Sequence, residues 1–275
     1  MQATHPIGVF DSGYGGLTVF KSIADKLPQY DYIYLGDNGR APYGNRSFET
    51  VHEYTLECVE WFFKMGCPLV VLACNTASAK ALRTIQQQDL PHMEDPSKRV
   101  LGVIRPTAEV IGNYTKTRHV GVLGTKGTIN SGSYEIEISN QFPDIEVHQQ
   151  ACPIWVPLIE NGEHNSEGAD FFIKKYLDEL ITKAPQIDTV LLACTHYPII
   201  IDKIKSHLPE NIKVVAQGDI VADSLEHYLQ RHSEMESRLT KNSTMQFFTT
   251  DDANDFNAHA SAFFGRPVQS NHLAI

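Results

Sequence analysis

Short apolar runs recur along the chain with helix-patterned segments between them. The runs are IGVF at 7–10, DYIYL at 31–35, PLVVLA at 68–73, RVLGVI at 99–104, HVGVL at 119–123, IEVHQ at 145–149, TVLLA at 189–193, IKVVA at 212–216 and MQFFTT at 245–250. Several lack polar alternation, the pattern of strands covered on both faces of a parallel sheet. The clearest helix spans about 47–65, where Val51, Tyr54, Cys58, Trp61, Phe62 and Met65 fall at helical spacing and Gly66 and Pro68 end it. Further helices are predicted over 16–26, 76–88, 106–115, 170–182, 198–207, 219–230 and 252–264, and the polar stretch 231–244 reads as a surface connection.

Strand–helix alternation predicts an α/β fold with mainly parallel sheets. Two echoes then divide the chain. IGVFDSG at 7–13 resembles VGVLGTK at 120–126, and VVLACNT at 70–76 resembles VLLACTH at 190–196. The matches keep their order, so a duplication with a small insertion or deletion is expected. It predicts two lobes, one from residues 1–100 plus 216–275 and one from 101–215.

Composition narrows the function classes. Of 275 residues, 42% are hydrophobic and 20% charged, which is ordinary for a globular chain. A net charge of −10 argues against a general nucleic-acid or membrane-surface binder. No run is long enough to span a bilayer. The start, MQATHPIGVF, lacks a basic patch followed by an apolar core, so a cytoplasmic setting is expected. Five cysteines, an odd number, predict free thiols rather than a disulfide framework.

In open α/β sheets, ligands bind beyond the carboxyl ends of the strands. Asp11-Ser12, Cys74-Asn75-Thr76, Thr125 and Cys194-Thr195-His196 all stand at such ends. A cysteine at a helix start can have its pKa lowered toward neutrality. Cys58, Cys67 and Cys152 read as buried structural thiols. A cysteine–histidine nucleophile would leave one of the pair Cys74 and Cys194 without a role. A zinc site from Cys74, Cys194 and His196 lacks supporting CxxC or HxxxH spacing. A two-base site uses both: one thiolate takes a proton from carbon and the opposite thiol returns one to the other face. DSGYGG at 11–16 could cradle a small anion on backbone N–H groups, but it is neither a P-loop nor GxGxxG. GDNGRAPYGNRS at 36–47 is either a plain surface loop or part of a site.

Seven stretches in order, IGVFDSGYGGLTVF, YLGDNGRAPYGNRS, ACNTAS, GVIRP, GVLGTKGT, VPLIENGE and ACTHYP, closely resemble bacterial glutamate racemases, the likeness running from residue 7 to about 265. The resemblance implies two pseudo-symmetric α/β lobes with the active site between them. It also implies a cofactor-independent, metal-free isomerase that interconverts L- and D-glutamate and supplies D-glutamate for peptidoglycan. Cys74 and Cys194 match the catalytic pair, the first acting on D-glutamate and the second on L-glutamate. Asp11 and His196 match groups that assist the thiols, and Glu160 matches a further acidic group. Substrate contacts carry over to Asp11, Ser12, Pro42, Tyr43, Gly44, Asn75, Thr76, Thr125, Thr195 and His196. A homodimer is expected, with no nucleic-acid or membrane partner. Two departures stand out: Ala193 replaces a common glycine, and Arg105-Pro106-Thr107 replaces Glu-Pro-Gly or Lys-Pro-Gly. The second puts hinge or interface behaviour in question rather than chemistry.

Overall fold

The computed structural model describes residues 5–275. Ten strands form: β1 (Ile7–Asp11), β2 (Tyr32–Gly36), β3 (Leu69–Leu72), β4 (Arg99–Gly102), β5 (His119–Gly124), β6 (Glu146–Ala151), β7 (Thr189–Ala193), β8 (Lys213–Val215), β9 (Met245–Thr249) and β10 (Ser270–His272). They build two parallel sheets, ordered β10-β9-β2-β1-β3-β4 and β6-β5-β7-β8. The segment β2-β1-β3-β4 and the whole second sheet share one connectivity, strand for strand. The echoing sequences lie on equivalent strands, β1 with β5 and β3 with β7. The fold is thus α/β with two pseudo-symmetric parallel sheets, and the first sheet carries two extra C-terminal strands.

The helices cover both faces of the sheets, which explains why β1, β2, β3 and β7 are buried at every position. Phe48–Lys64 starts at Ser47, whose hydroxyl accepts from the Thr50 N–H at 3.2 Å. It buries Val51, Thr55, Cys58, Val59 and Phe62 and ends before Gly66 in a left-handed conformation. Phe62 lies directly over β1. A Cβ at Gly8 would stand 2.7 Å from its ring, so only glycine lets that helix pack so closely.

Some elements differ from the sequence pattern. The expected helix 76–88 is broken into Asn75–Lys80, Leu82–Thr84 and a wide turn, Ile85–Asp89. Helices Lys126–Asn130, Ser133–Gln141 and Trp155–Glu160 were not predicted, being short or weakly amphipathic, and neither was β10, which is polar and three residues long. The stretch 231–244 is more than a surface connection. Met235 and Leu239 enter the core. All five thiols are free and buried. Among the described residues, no helix is long and apolar enough to cross a membrane.

Asp31 fastens that returning stretch to the start of β2. Its carboxylate accepts from the backbone N–H groups of Asn242 (3.2 Å) and Thr244 (3.0 Å) and from their side chains. Burial opposes its charge, but bonds from Thr240, Thr244 and Asn242 outweigh burial and hold its pKa down at about 2. A carboxylate depressed in this way adds stability above its unfolded pKa near 3.8 and loses that contribution as pH falls toward 2. Asp31→Ala should therefore cost about 1–2 kcal/mol at neutral pH. The gap to wild type in urea melts should narrow between about pH 4 and pH 2.

Candidate active site between the two sheets

The residues singled out at strand ends meet where the carboxyl ends of β1, β3, β5 and β7 face one another. Cys74 follows β3 and caps the helix Asn75–Lys80, its sulfur accepting from the Ala77 N–H at 3.4 Å. The Ser12 hydroxyl lies 3.4 Å from the same sulfur. Cys194 follows β7 at the equivalent place, but a 3-10 turn, Tyr197–Ile200, comes after it. Its sulfur faces His196 Nδ1 at 3.9 Å, and His196 Nε2 meets a Glu160 carboxylate oxygen at 2.9 Å. Both cysteines are only 5% exposed.

A set of contacts ties one side to the other. The Thr195 hydroxyl donates to Asp11 Oδ1 at 3.4 Å, and the Thr18 hydroxyl donates to the Thr195 carbonyl at 2.8 Å. The hydroxyls of Thr76 and Thr125 are 3.0 Å apart, with Thr128 completing a triad. Glycine permits the closest approaches. A Cβ on Gly15 would lie 2.3 Å from His196 Nδ1, and one on Gly44 would lie 3.0 Å from the Thr125 Cβ.

The glycine-rich stretch 11–16 finds its anion within the chain. The N–H groups of Gly13 and Gly16 bond the Asp11 carboxylate, Gly13 at 3.0 Å. Burial nevertheless raises the Asp11 pKa above 3.8, against the pull of His196 and those two N–H groups. The loop 36–47 is likewise not a plain surface loop. Asp37 is wholly buried at its root and holds Arg40 Nε at 2.7 Å, the Thr250 hydroxyl at 2.7 Å and the Tyr43 hydroxyl.

Electrostatics differ on the two sides. The Cys74 thiol is pushed up to about 12, first by burial and then by the charge of Asp11; Ser12 and the Ala77 N–H offset this only in part. The lowering expected of a helix-start cysteine is not met there. Desolvation wins because the capped helix has only six residues and Asp11 is also near. His196 is raised to about 10: burial opposes its charge, but the bonds to Cys194 and Glu160 and their negative charge outweigh it.

Some predicted positions are placed differently from simple ligand contacts. The Tyr43 ring is buried against Phe10 and Tyr54, with its hydroxyl on Asp37, so its backbone is what it can offer a ligand. Pro42 is exposed. The Asn75 amide donates to Gln217 Oε1 at 2.8 Å and accepts from the Tyr134 hydroxyl. Gln217 also donates to Thr107 Oγ1 (2.8 Å) and the Tyr134 hydroxyl (2.6 Å). Sequence reasoning missed Gln217 and Tyr134. Gln217 stands just past the end of β8, the same positional signal that marked the cysteines, whereas Tyr134 lies on a helix without a clear pattern. The divergent Arg105 pairs with Glu109 at 2.9 Å and, with Pro106, lines a separate cavity of about 980 Å³ that none of the residues around the two cysteines enters.

Residues 7–225 match the profile of the family described as Asp/Glu/Hydantoin racemase. The chain belongs to this family. It is 38% identical over 270 residues to the glutamate racemase of Bacillus cereus, covering 98% of this chain and 97% of that one. Among solved structures, a glutamate racemase isoform from Bacillus anthracis superposes with a TM-score of 0.89 at 33% identity, covering 100% of this chain and 99% of that one. The glutamate racemase of Francisella tularensis, solved in complex with D-glutamate, gives 0.86 at 31% identity over 99% and 98%. Like these relatives the chain is an isomerase.

Two predictions follow from the packing and the charges. Gly15→Ala should force the Thr195-His196 turn away and lower stability by about 1–3 kcal/mol in denaturant melts. Glu160→Gln removes one negative partner, so His196, followed by NMR of its ring, should titrate below the wild-type value of about 10. A raised histidine adds stability below its unfolded pKa near 6.5 and loses it as pH rises through about 10. The stability deficit of Glu160→Gln should thus be largest near pH 6 and vanish above about pH 10.

Proposed function

We propose that the chain is a glutamate racemase that works by two-base proton exchange at Cα, with Cys74 and Cys194 as the two acid/base groups. The observation that carries this reading is the placement of the two thiols. They follow equivalent strands of two sheets with the same connectivity, and one cross-linked cleft joins them. A planar carbanion has two faces, and a duplicated fold can present one thiol to each.

In this mechanism a thiolate on one side takes the Cα proton and becomes a thiol. The electron pair left on carbon delocalises into the α-carboxylate. The thiol on the other side gives its proton to the opposite face and becomes a thiolate, so the product is the mirror image and the two sulfurs have exchanged roles. Cys74 acts on D-glutamate and Cys194 on L-glutamate. Backbone N–H groups at Asn75 and Tyr43-Gly44, with the hydroxyls of Ser12, Thr76, Thr125 and Thr195, hold the carboxylates and disperse the charge that builds in the transition state. The two thiols make both proton transfers, so this mechanism needs no cofactor.

The high Cys74 pKa is a property of the empty cleft. A bound substrate brings an ammonium group, and a positive charge within a few ångströms favours the thiolate. On the other side His196 faces the Cys194 sulfur, with Glu160 holding its second nitrogen. Asp11, whose charge acts on Cys74 and which accepts from Thr195 across the cleft, assists the Cys74 thiol as His196 assists Cys194. Because both sulfurs are nearly sealed, admission of glutamate requires the contacts at Gly15–His196 and Gly44–Thr125 to part, and closure then excludes water.

Thr195-His196 after the second cysteine supports glutamate over aspartate, for which an acidic residue is expected there. With this reading come lobes of residues 1–100 plus 216–275 and 101–215, a cytoplasmic homodimer, and a supply of D-glutamate to peptidoglycan.

The test is racemisation in deuterated water. Each glutamate enantiomer is incubated with wild type, Cys74→Ser and Cys194→Ser, following optical rotation and Cα deuteration. Both variants should lose racemisation by roughly 10²–10⁴-fold, the usual worth of one positioned acid/base group. Full activity in either would overturn the two-base reading.

A further inference from the structure

A second cluster of chemically capable side chains lies away from the cleft, at the amino-terminal ends of β5 and β6. His119 opens β5 and is paired in register with Glu146, which opens β6. His148 follows two residues after Glu146, so all three project from one face of the sheet. His119 Nδ1 and His148 Nε2 are 3.1 Å apart. The Glu146 carboxylate spans both, with one oxygen 3.6 Å from His119 Nδ1 and the other 3.6 Å from His148 Nε2. The imidazole planes are nearly parallel, 15° apart.

Two ordinary accounts of the cluster are incomplete. A histidine–histidine hydrogen bond explains the 3.1 Å contact but not why a carboxylate is held at equal distance from both ring nitrogens. A histidine–carboxylate ion pair explains one 3.6 Å contact and leaves the second imidazole redundant. A shared ion explains all three. Donors about 2.0–2.1 Å from a tetrahedral metal stand roughly 3.3 Å from one another; the two ring nitrogens are 3.1 Å apart, and one atom from each of the three residues lies within 4.8 Å of the others.

We propose that His119, Glu146 and His148 form a surface site for a divalent transition-metal ion of the zinc class, with its fourth position open to water. Two imidazoles and one carboxylate suit Zn²⁺, Co²⁺ or Ni²⁺, whereas Mg²⁺ and Ca²⁺ require an oxygen cage that these residues do not make. β6 is the outer strand of its sheet. The ion would clip that strand to β5 at the end remote from the cysteines. The site stands independently of the racemase reading, since none of its residues touches the cleft.

The experiment uses Co²⁺ as probe on the full chain, because its visible spectrum reports both geometry and donor type. Wild type should give the intense visible bands of four-coordinate Co²⁺ without the near-ultraviolet thiolate charge-transfer band that a cysteine ligand produces. Zn²⁺ should displace the signal. His119→Asn and His148→Asn should each weaken Co²⁺ binding by at least about tenfold. Glu146→Gln, at an exposed carboxylate, should weaken it in the same direction and serves where a histidine variant fails to fold. Three results would overturn the site: a thiolate charge-transfer band, which places the ion on cysteine; binding unchanged in the folded variants; or no Co²⁺ spectrum in wild type.

Discussion

The two sheets can face each other only because backbone meets side chain at Gly15. Any Cβ there would overlap His196 Nδ1 and the Thr195 hydroxyl. The rest of the cleft follows from that approach. Once the Thr195-His196 turn rests on Gly15, the Thr195 hydroxyl reaches Asp11 and its carbonyl reaches Thr18. Glycine at 44 allows the matching approach to Thr125 on the other flank. The site is a property of the junction rather than of either sheet.

Much of this was legible in the sequence because parallel strands leave two plain marks. Their apolar runs, several without alternation, located nine strands, and the carboxyl ends of those strands marked Asp11, Cys74, Thr125, Cys194 and His196. The echo between VVLACNT and VLLACTH correctly paired equivalent strands. What stayed hidden depends on contacts that no local pattern encodes. Tyr134 reaches Asn75 from a weakly amphipathic helix, and the broken helix after Lys80 has ordinary helix-forming residues throughout. Buried Asp37 organises its loop through partners such as Thr250, more than two hundred positions away. The helix-start rule for thiols failed at Cys74 for an energetic reason: desolvation and a nearby carboxylate outweighed the bonds from Ser12 and Ala77 and a short dipole.

The buried network around Gln217 shows how that junction is made specific. Gln217 donates to Thr107 and Tyr134 while accepting from Asn75, the residue next to Cys74. Each of these polar groups is buried, and a buried polar group left without a partner is costly. The four side chains come from β3's following helix, the helix Ile104–Val110, the helix Ser133–Gln141 and the end of β8. Thr107 is one of the positions where this chain departs from the expected glutamate-racemase pattern, and its hydroxyl is used here.

The two sheets share one connectivity but not the same surroundings at equivalent strand ends. At the end of β1 stands Asp11; at the equivalent end of β5 stands Gly124. After β3 the cysteine is met by a serine hydroxyl and a backbone N–H, and after β7 by an imidazole backed by a carboxylate. One thiol therefore sits beside a negative charge and the other beside a group held positive to about pH 10. The divergence therefore gives the two strand ends unequal electrostatic surroundings on one shared backbone plan.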